Sequence, residues 1–193
     1  MNDAHAQLCT SPEWAAYLSD EVLPPFSWLV SLGADMLEIG PGAGAATDWL
    51  RSQVTTLTAV ELDPAACERL HARFEGTNVR IVPADAAELP FPNESFDSVG
   101  CFTMLHHVPT HQLQHRILAE AHRVLRPGGV LVGSDSLASV DLHHFHAGDT
   151  YNPVEPANLL ACLPTFGFDR VNVDVGDILR FIAYKPTREG GLP

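Results

Sequence analysis

Five short apolar runs, at residues 35–39, 56–61, 79–83, 96–102 and 130–134, are separated by helical patterns or polar loops across about half of the chain. That alternation constrains the fold more than any other feature. Strands connected through helices pair in parallel, and a parallel sheet needs helices on both faces to bury it. The switches carry their own signals. The first run ends in Gly40-Pro41-Gly42-Ala43-Gly44 before a helix over 45–53, and Asp63-Pro64 places an N-cap and a first-turn proline before a helix reaching residue 74. The 111–125 segment carries Leu113, Ile117, Leu118, Ala121, Val124 and Leu125 on one stripe, and Arg126-Pro127-Gly128-Gly129 stops it.

Outside this block the pattern changes. The first 31 residues read as helical, with Ser11 as N-cap and Pro12 behind it, interrupted at Pro24-Pro25. After a further helix over 154–163, two strand-like runs at 168–175 and 178–184 are joined by Gly176-Asp177. So short a connection allows only antiparallel pairing. The expected fold is α/β and doubly wound, a mostly parallel sheet with one reversed strand near the C-terminus.

Charge excludes some partners. The chain of 193 residues has 24 acidic and 11 basic side chains, a formal charge of -13, and seven acids precede the first basic residue, Arg51. Phosphate backbones and anionic membrane surfaces should repel it, so neither nucleic acid nor membrane is an expected partner. No apolar run approaches the ~18 residues of a membrane span, and no leader pattern opens the chain. Cys9, Cys67, Cys101 and Cys162 form no Cys-x-x-Cys pair, which points to a reducing compartment and a cytoplasmic location rather than to disulfides or a zinc site.

Chemistry concentrates at the strand ends. The glycine-rich turn lets backbone approach a ligand at the carboxyl edge of a parallel sheet, although a tight turn without a ligand reads the same way. Three carboxylates add weight: Glu38 closes the first strand, Glu61 the second, and Asp85 follows the third. Parallel strands all end on one rim, so the three share it. An acid at the second strand end typically accepts from a ribose diol. A dinucleotide would bring its pyrophosphate against Glu38, and the G-x-G-x-G spacing lacks the third glycine of the dinucleotide fingerprint, so a nicotinamide dehydrogenase is disfavoured. A ligand with adenosine at one end and cationic groups at the other suits this rim better.

These segments resemble the class I S-adenosylmethionine-dependent methyltransferases, in particular the small-molecule, type 11-like group. Residues 38–44 are similar to that family's first motif, Val60-Glu61-Leu62-Asp63 to its acidic second-strand motif, and Ala84-Asp85-Ala86 to its adenine-contacting motif. Residues 89–97, Leu105-His106-His107-Val108 and 123–129 follow in the family's order. The resemblance implies one methyltransferase domain over 1–193: a helical segment at 1–34, a cofactor-binding core at 35–135, an acceptor-side loop at 136–155, and a last helix with the antiparallel pair at 156–185.

It also implies roles. Gly40, Gly42 and Gly44 would border the methionine part of S-adenosylmethionine, with Glu38 holding its ammonium. Glu61 would accept the ribose hydroxyls, Asp85 the adenine amino group, and the Ala86 N–H would face the ring. Leu62, Phe102 and Leu105 would wall the adenosine and transfer region, or simply pack in the core. The product would be S-adenosylhomocysteine. Methyl transfer needs a base only where the acceptor must lose a proton, and His106 and His107 are the candidates for it. His143, His144 and His146, flanked by Asp141 and Asp149, read as a polar acceptor loop in preference to a metal site, since adjacent side chains converge poorly. His111, His115 and His122 read as surface residues. The expected function is methyl transfer to a small organic acceptor; the alternative is a non-catalytic protein that binds S-adenosylmethionine or S-adenosylhomocysteine as a regulatory or scaffold subunit. A homo-oligomer is compatible with either.

Overall fold

The computed structural model describes residues 2–188. Its centre is a seven-stranded sheet in the order β3-β2-β1-β4-β5-β7-β6. The strands are β1 (Asp35–Ile39), β2 (Thr56–Glu61), β3 (Val79–Pro83), β4 (Phe96–Phe102), β5 (Leu125–Asp135), β6 (Asp169–Val175) and β7 (Leu179–Tyr184). β1 to β5 pair in parallel, while β7 runs antiparallel to both β5 and β6. The chain therefore inserts its last strand between β5 and β6, and the reversed strand lies inside the sheet rather than at its edge.

Helices cover both faces, and caps set where they begin. Asn2 accepts from His5 N–H to open α1 (Asp3–Cys9), and Ser11 caps α2 (Pro12–Tyr17) with proline at its start. A π turn at Leu18–Val22 leads to α3 (Pro24–Leu29), so the two prolines restart a helix and do not end the helical segment. α4 (Ala45–Leu50) follows the glycine turn, and the Asp63 side chain accepts from Ala65 and Ala66 N–H to cap α5 (Pro64–Arg73). α6 (His111–Val124), α7 (Val140–Phe145) and α8 (Pro156–Cys162) complete the set.

One face of the sheet is covered by Ile117, Leu118 and Ala121 of α6 and Leu159 of α8, the other by Val22, Leu23 and Phe26 with Leu50 of α4. α5 packs Cys67 and Leu70 against Ala59 and Ile81. Four of the five β1 residues are buried, which is why its sequence reads as an apolar run instead of an alternation.

Three local expectations change. β5 starts at Leu125, because Leu125 pairs with Phe96 before an irregularity moves the register to Ser98–Val130. The 136–155 stretch contains α7, capped by Ser139. His122 is half-buried, its ring edge-on to Phe168 and close to Gly167, where a β-carbon would lie 2.9 Å from it.

Candidate functional site

At the carboxyl ends of β1 to β4 lies a cavity of about 440 Å³. Glu38, Glu61 and Asp85 all line it, together with Gly40, Gly42, Leu62, Ala86 and Phe102. Neighbouring strands end in step, Ile39 beside Val60 and Glu61 beside Pro83, and so the acids of three strands share one rim.

Each acid has a different environment. Glu38 is 1% exposed, and the Thr47 hydroxyl donates to its Oε2 at 2.7 Å. Burial, opposed by that bond, pushes its carboxyl up to about 8, so it is protonated at neutral pH. Glu61 is held by three backbone donors: Gly42 N–H at 3.2 Å, Leu62 N–H at 2.8 Å and Asp63 N–H at 3.0 Å. Its carboxylate thereby ties the glycine turn to the end of β2. Asp85 is exposed and accepts from Ala87 N–H at 2.8 Å.

The glycines do different things. Gly40 has φ 67° and a β-carbon there would come within 3.1 Å of Met104, which makes the turn a close approach. Gly44 has φ 84°, but it does not line the cavity; a β-carbon would meet Phe74 at 2.8 Å and Leu70 at 3.0 Å. Its role is to let α4 begin against α5. Gly44→Ala should therefore cost about 1–3 kcal/mol of stability, the scale of a side chain forced into left-handed backbone, read as a lower urea midpoint with unchanged slope.

After β4 the chain turns sharply. Thr103, a β-branched residue at φ 50°, stands on the cavity wall and donates its N–H to Ser134 O. Such backbone is rare and clusters at functional sites. The 3-10 turn Leu105–His107 then sends successive side chains different ways. Met104 and His107 line the cavity, whereas Leu105 is buried in the core and His106 turns to Asp135. Leu105 therefore does not wall the cavity, and Met104 takes that place. His106 does not border the cavity and is 3% exposed, so it is not placed to take a proton from a molecule held there. His107 reaches the cavity, but burial and the neighbouring His106 lower its imidazolium to about 3.

Several contributors carry no local sequence signal. Cys9, Trp14 and Leu18 of the N-terminal segment complete the wall, and Val108, Leu113 and Ile117 give it an apolar side. Asp135 does carry a sequence signal, of the same kind as the strand-end acids, because it ends β5 as Glu61 ends β2. The 136–155 stretch, expected as an acceptor-side loop, divides: His143 and His144 are exposed, while His146 is buried among His5, His107 and Tyr151.

Comparison with known proteins follows the same lines. A family model described as a methyltransferase domain matches residues 37–133, half of the chain. A probable S-adenosylmethionine-dependent methyltransferase of Mycolicibacterium smegmatis is 31% identical over 144 residues, 71% of this chain and 52% of that protein. Demethylluteothin O-methyltransferase of Streptomyces thioluteus is 37% identical over 112 residues, 56% of this chain and 49% of that one. A shorter match, 43% over 68 residues, 35% of this chain and 29% of the other, is to a probable ribosomal RNA small subunit methyltransferase A of Pyrobaculum aerophilum. The chain thus spans about half, or less, of the length of these curated relatives. Among solved structures, an S-adenosylmethionine-dependent methyltransferase from Methanosarcina mazei superposes with a TM-score of 0.73 over 86% of this chain and 98% of that one, at 19% identity, a likeness of fold. Among the described residues no helix is long and apolar enough to cross a membrane.

Proposed function

The chain belongs to the family of methyltransferase domains, and from that premise we propose that its strand-end cavity holds S-adenosylmethionine and directs its methyl group to a small, largely apolar organic acceptor. One observation carries the reading: the acids of three successive parallel strands and the glycine turn line a single cavity. The donor set fits the cofactor. A buried carboxyl at Glu38 suits an ammonium, a fixed carboxylate at Glu61 suits a diol, and Asp85 at the exposed edge suits an exocyclic amine.

When bound, S-adenosylmethionine supplies a methyl group on a sulfonium, a good leaving group because it departs as a neutral thioether. The protein's part is geometry. Glu61 anchors the glycine turn through Gly42 N–H and keeps the rim in one arrangement before any ligand arrives. Trp14, Leu18, Met104 and Ile117 hold the acceptor in line and exclude water. With the cofactor bound, an acceptor held there would be aligned for its lone pair to take the methyl carbon as the S–CH3 bond breaks, the electron pair of that bond staying on sulfur. The apolar wall and the formal charge of -13 favour a small molecule over RNA.

Calorimetric titration with S-adenosylmethionine, S-adenosylhomocysteine and NADH tests the reading. Binding of both adenosyl compounds, and not of NADH, is expected. Binding of NADH alone, or of none of them, overturns it.

A further inference from the structure

A second constellation lies beside the cavity, away from the strand-end acids. His5 on α1, His106 and His107 in the turn after β4, and His146 at the end of α7 come from the start of the chain, its middle and its last third. Each offers a ring nitrogen, and these four atoms all lie within 4.8 Å of one another. His5, His106 and His146 are 4%, 3% and 3% exposed. The rings sit close, with centroids 4.6 Å apart for His5 and His146 and 4.0 Å for His106 and His107.

Hydrogen bonding alone does not account for this arrangement. His146 Nε2 is buried with no hydrogen-bond partner. Buried polar groups are normally satisfied, and an orphan imidazole nitrogen gathered with three other imidazoles points to an occupant that takes lone pairs. The outer atoms meanwhile are engaged. His146 Nδ1 bonds Leu142 O at 2.7 Å, and His106 Nδ1 bonds Asp135 Oδ1. His5 Nδ1 is 3.6 Å from Asp149 Oδ2. A carbonyl and a carboxylate only accept, so His106 and His146 hold a proton on Nδ1, which leaves Nε2 as the nitrogen to turn to a metal. Imidazoles oriented from behind by carboxylate or carbonyl are the supporting arrangement of metal-bound histidine.

We infer that His5, His106, His107 and His146 form a closed binding site for one first-row transition-metal dication, which clasps the N-terminal helix to α7 and to the turn after β4. The donor chemistry selects the class of ion. Four imidazoles suit zinc, nickel or copper, whereas magnesium and calcium require oxygen. A tetrahedral zinc with bonds of ~2.0–2.1 Å spaces its nitrogens by about 3.4 Å, so rings already within 4.8 Å need only close by about an ångström. Asp135 and Asp149, one behind His106 and one beside His5, balance the charge of the dication. With all four positions filled by side chains, the site has no vacancy for substrate, and its work is mechanical. It sets His107 on the cavity edge and holds the helical segment that supplies Cys9 and Trp14 to the wall.

The test uses the full chain without a polyhistidine tag, stripped with a chelator and titrated with zinc chloride. One zinc per chain should survive desalting and be counted by plasma mass spectrometry, with nickel competing and magnesium not. Thermal unfolding should move up with zinc, and proteolysis near residues 8–14 should slow by about tenfold or more, as expected when the open form is depopulated. His146→Ala should lose retained zinc, whereas the double variant His143→Ala/His144→Ala should keep it. Failure of the wild-type protein to retain zinc, nickel or copper, or equal retention by His146→Ala, overturns the inference. Titration of the same samples with S-adenosylhomocysteine reports on the strand-end rim, so loss of the metal site and failure of the cofactor reading give separate results.

Discussion

Glu61→Ala is expected to weaken S-adenosylhomocysteine binding by at least about 1.5 kcal/mol, or more than tenfold, the scale of hydrogen bonds to a charged group. The expectation has two parts. The variant removes the acceptor proposed for the ribose diol. It also releases Gly42, Leu62 and Asp63 N–H, which the carboxylate now gathers, so the glycine turn loses its tie to β2. Glu61→Gln keeps an acceptor oxygen and should fall between the two. Calorimetry at one pH and salt concentration decides it: an affinity within about twofold of wild type would remove Glu61 from the binding assignment.

The second large effect concerns Glu38 and pH. Its carboxyl titrates near 8 in the folded protein against 4.5 in the open chain. The unfolded chain therefore loses this proton first. Stability that the neutral form retains at low pH is lost as pH rises from about 4.5 through about 8, on the order of 5 kcal/mol in total. Glu38→Gln keeps an acceptor for the Thr47 hydroxyl and has no proton to lose, so urea unfolding should show a more stable protein at alkaline pH and a flatter profile. Binding runs the opposite way. A cationic ligand needs the carboxylate, so wild-type affinity should climb by up to about tenfold per pH unit between 6 and 8, with a proton released on binding, and the glutamine variant should bind weakly without that slope. Equal pH profiles for the two proteins would exclude Glu38 as the partner of the ammonium.

How much of this was legible in the sequence depends on how local each cause is. The parallel sheet follows from runs and caps that act over a few residues: Asp63-Pro64 opens α5 wherever the helix packs. The gathering of Glu38, Glu61 and Asp85 follows from one further step, that parallel strands end on one side. The family resemblance rested on these same residues, and the match over 37–133 covers them. What escaped was set by tertiary contact. The position of β7 inside the sheet depends on which edge of β5 is free, and no two-residue turn records that. For Leu105 the resemblance left wall and core both open; the bend at Thr103 and the 3-10 turn rotate it into the core. His5 and His146 stand too far apart in sequence for any spacing to relate them, and His146 was obscured by exposed His143 and His144 beside it.

The docking of the N-terminal segment has a consequence for how the molecule is made. The side chain of Asn2 is held by Phe145 O, Asn2 N–H by Asp149, and the Arg180 side chain of β7 reaches Glu21 O. These bonds thus wait for residues 143 to 159 positions further along the chain, a long loop closure. The cavity floor and the Leu18 part of its wall can assemble with β1 to β4, whereas the tie of α1 to α7 cannot. A nascent chain, or one shortened before α7, would leave α1 and Cys9 without that tie, a segment open to holding chaperones.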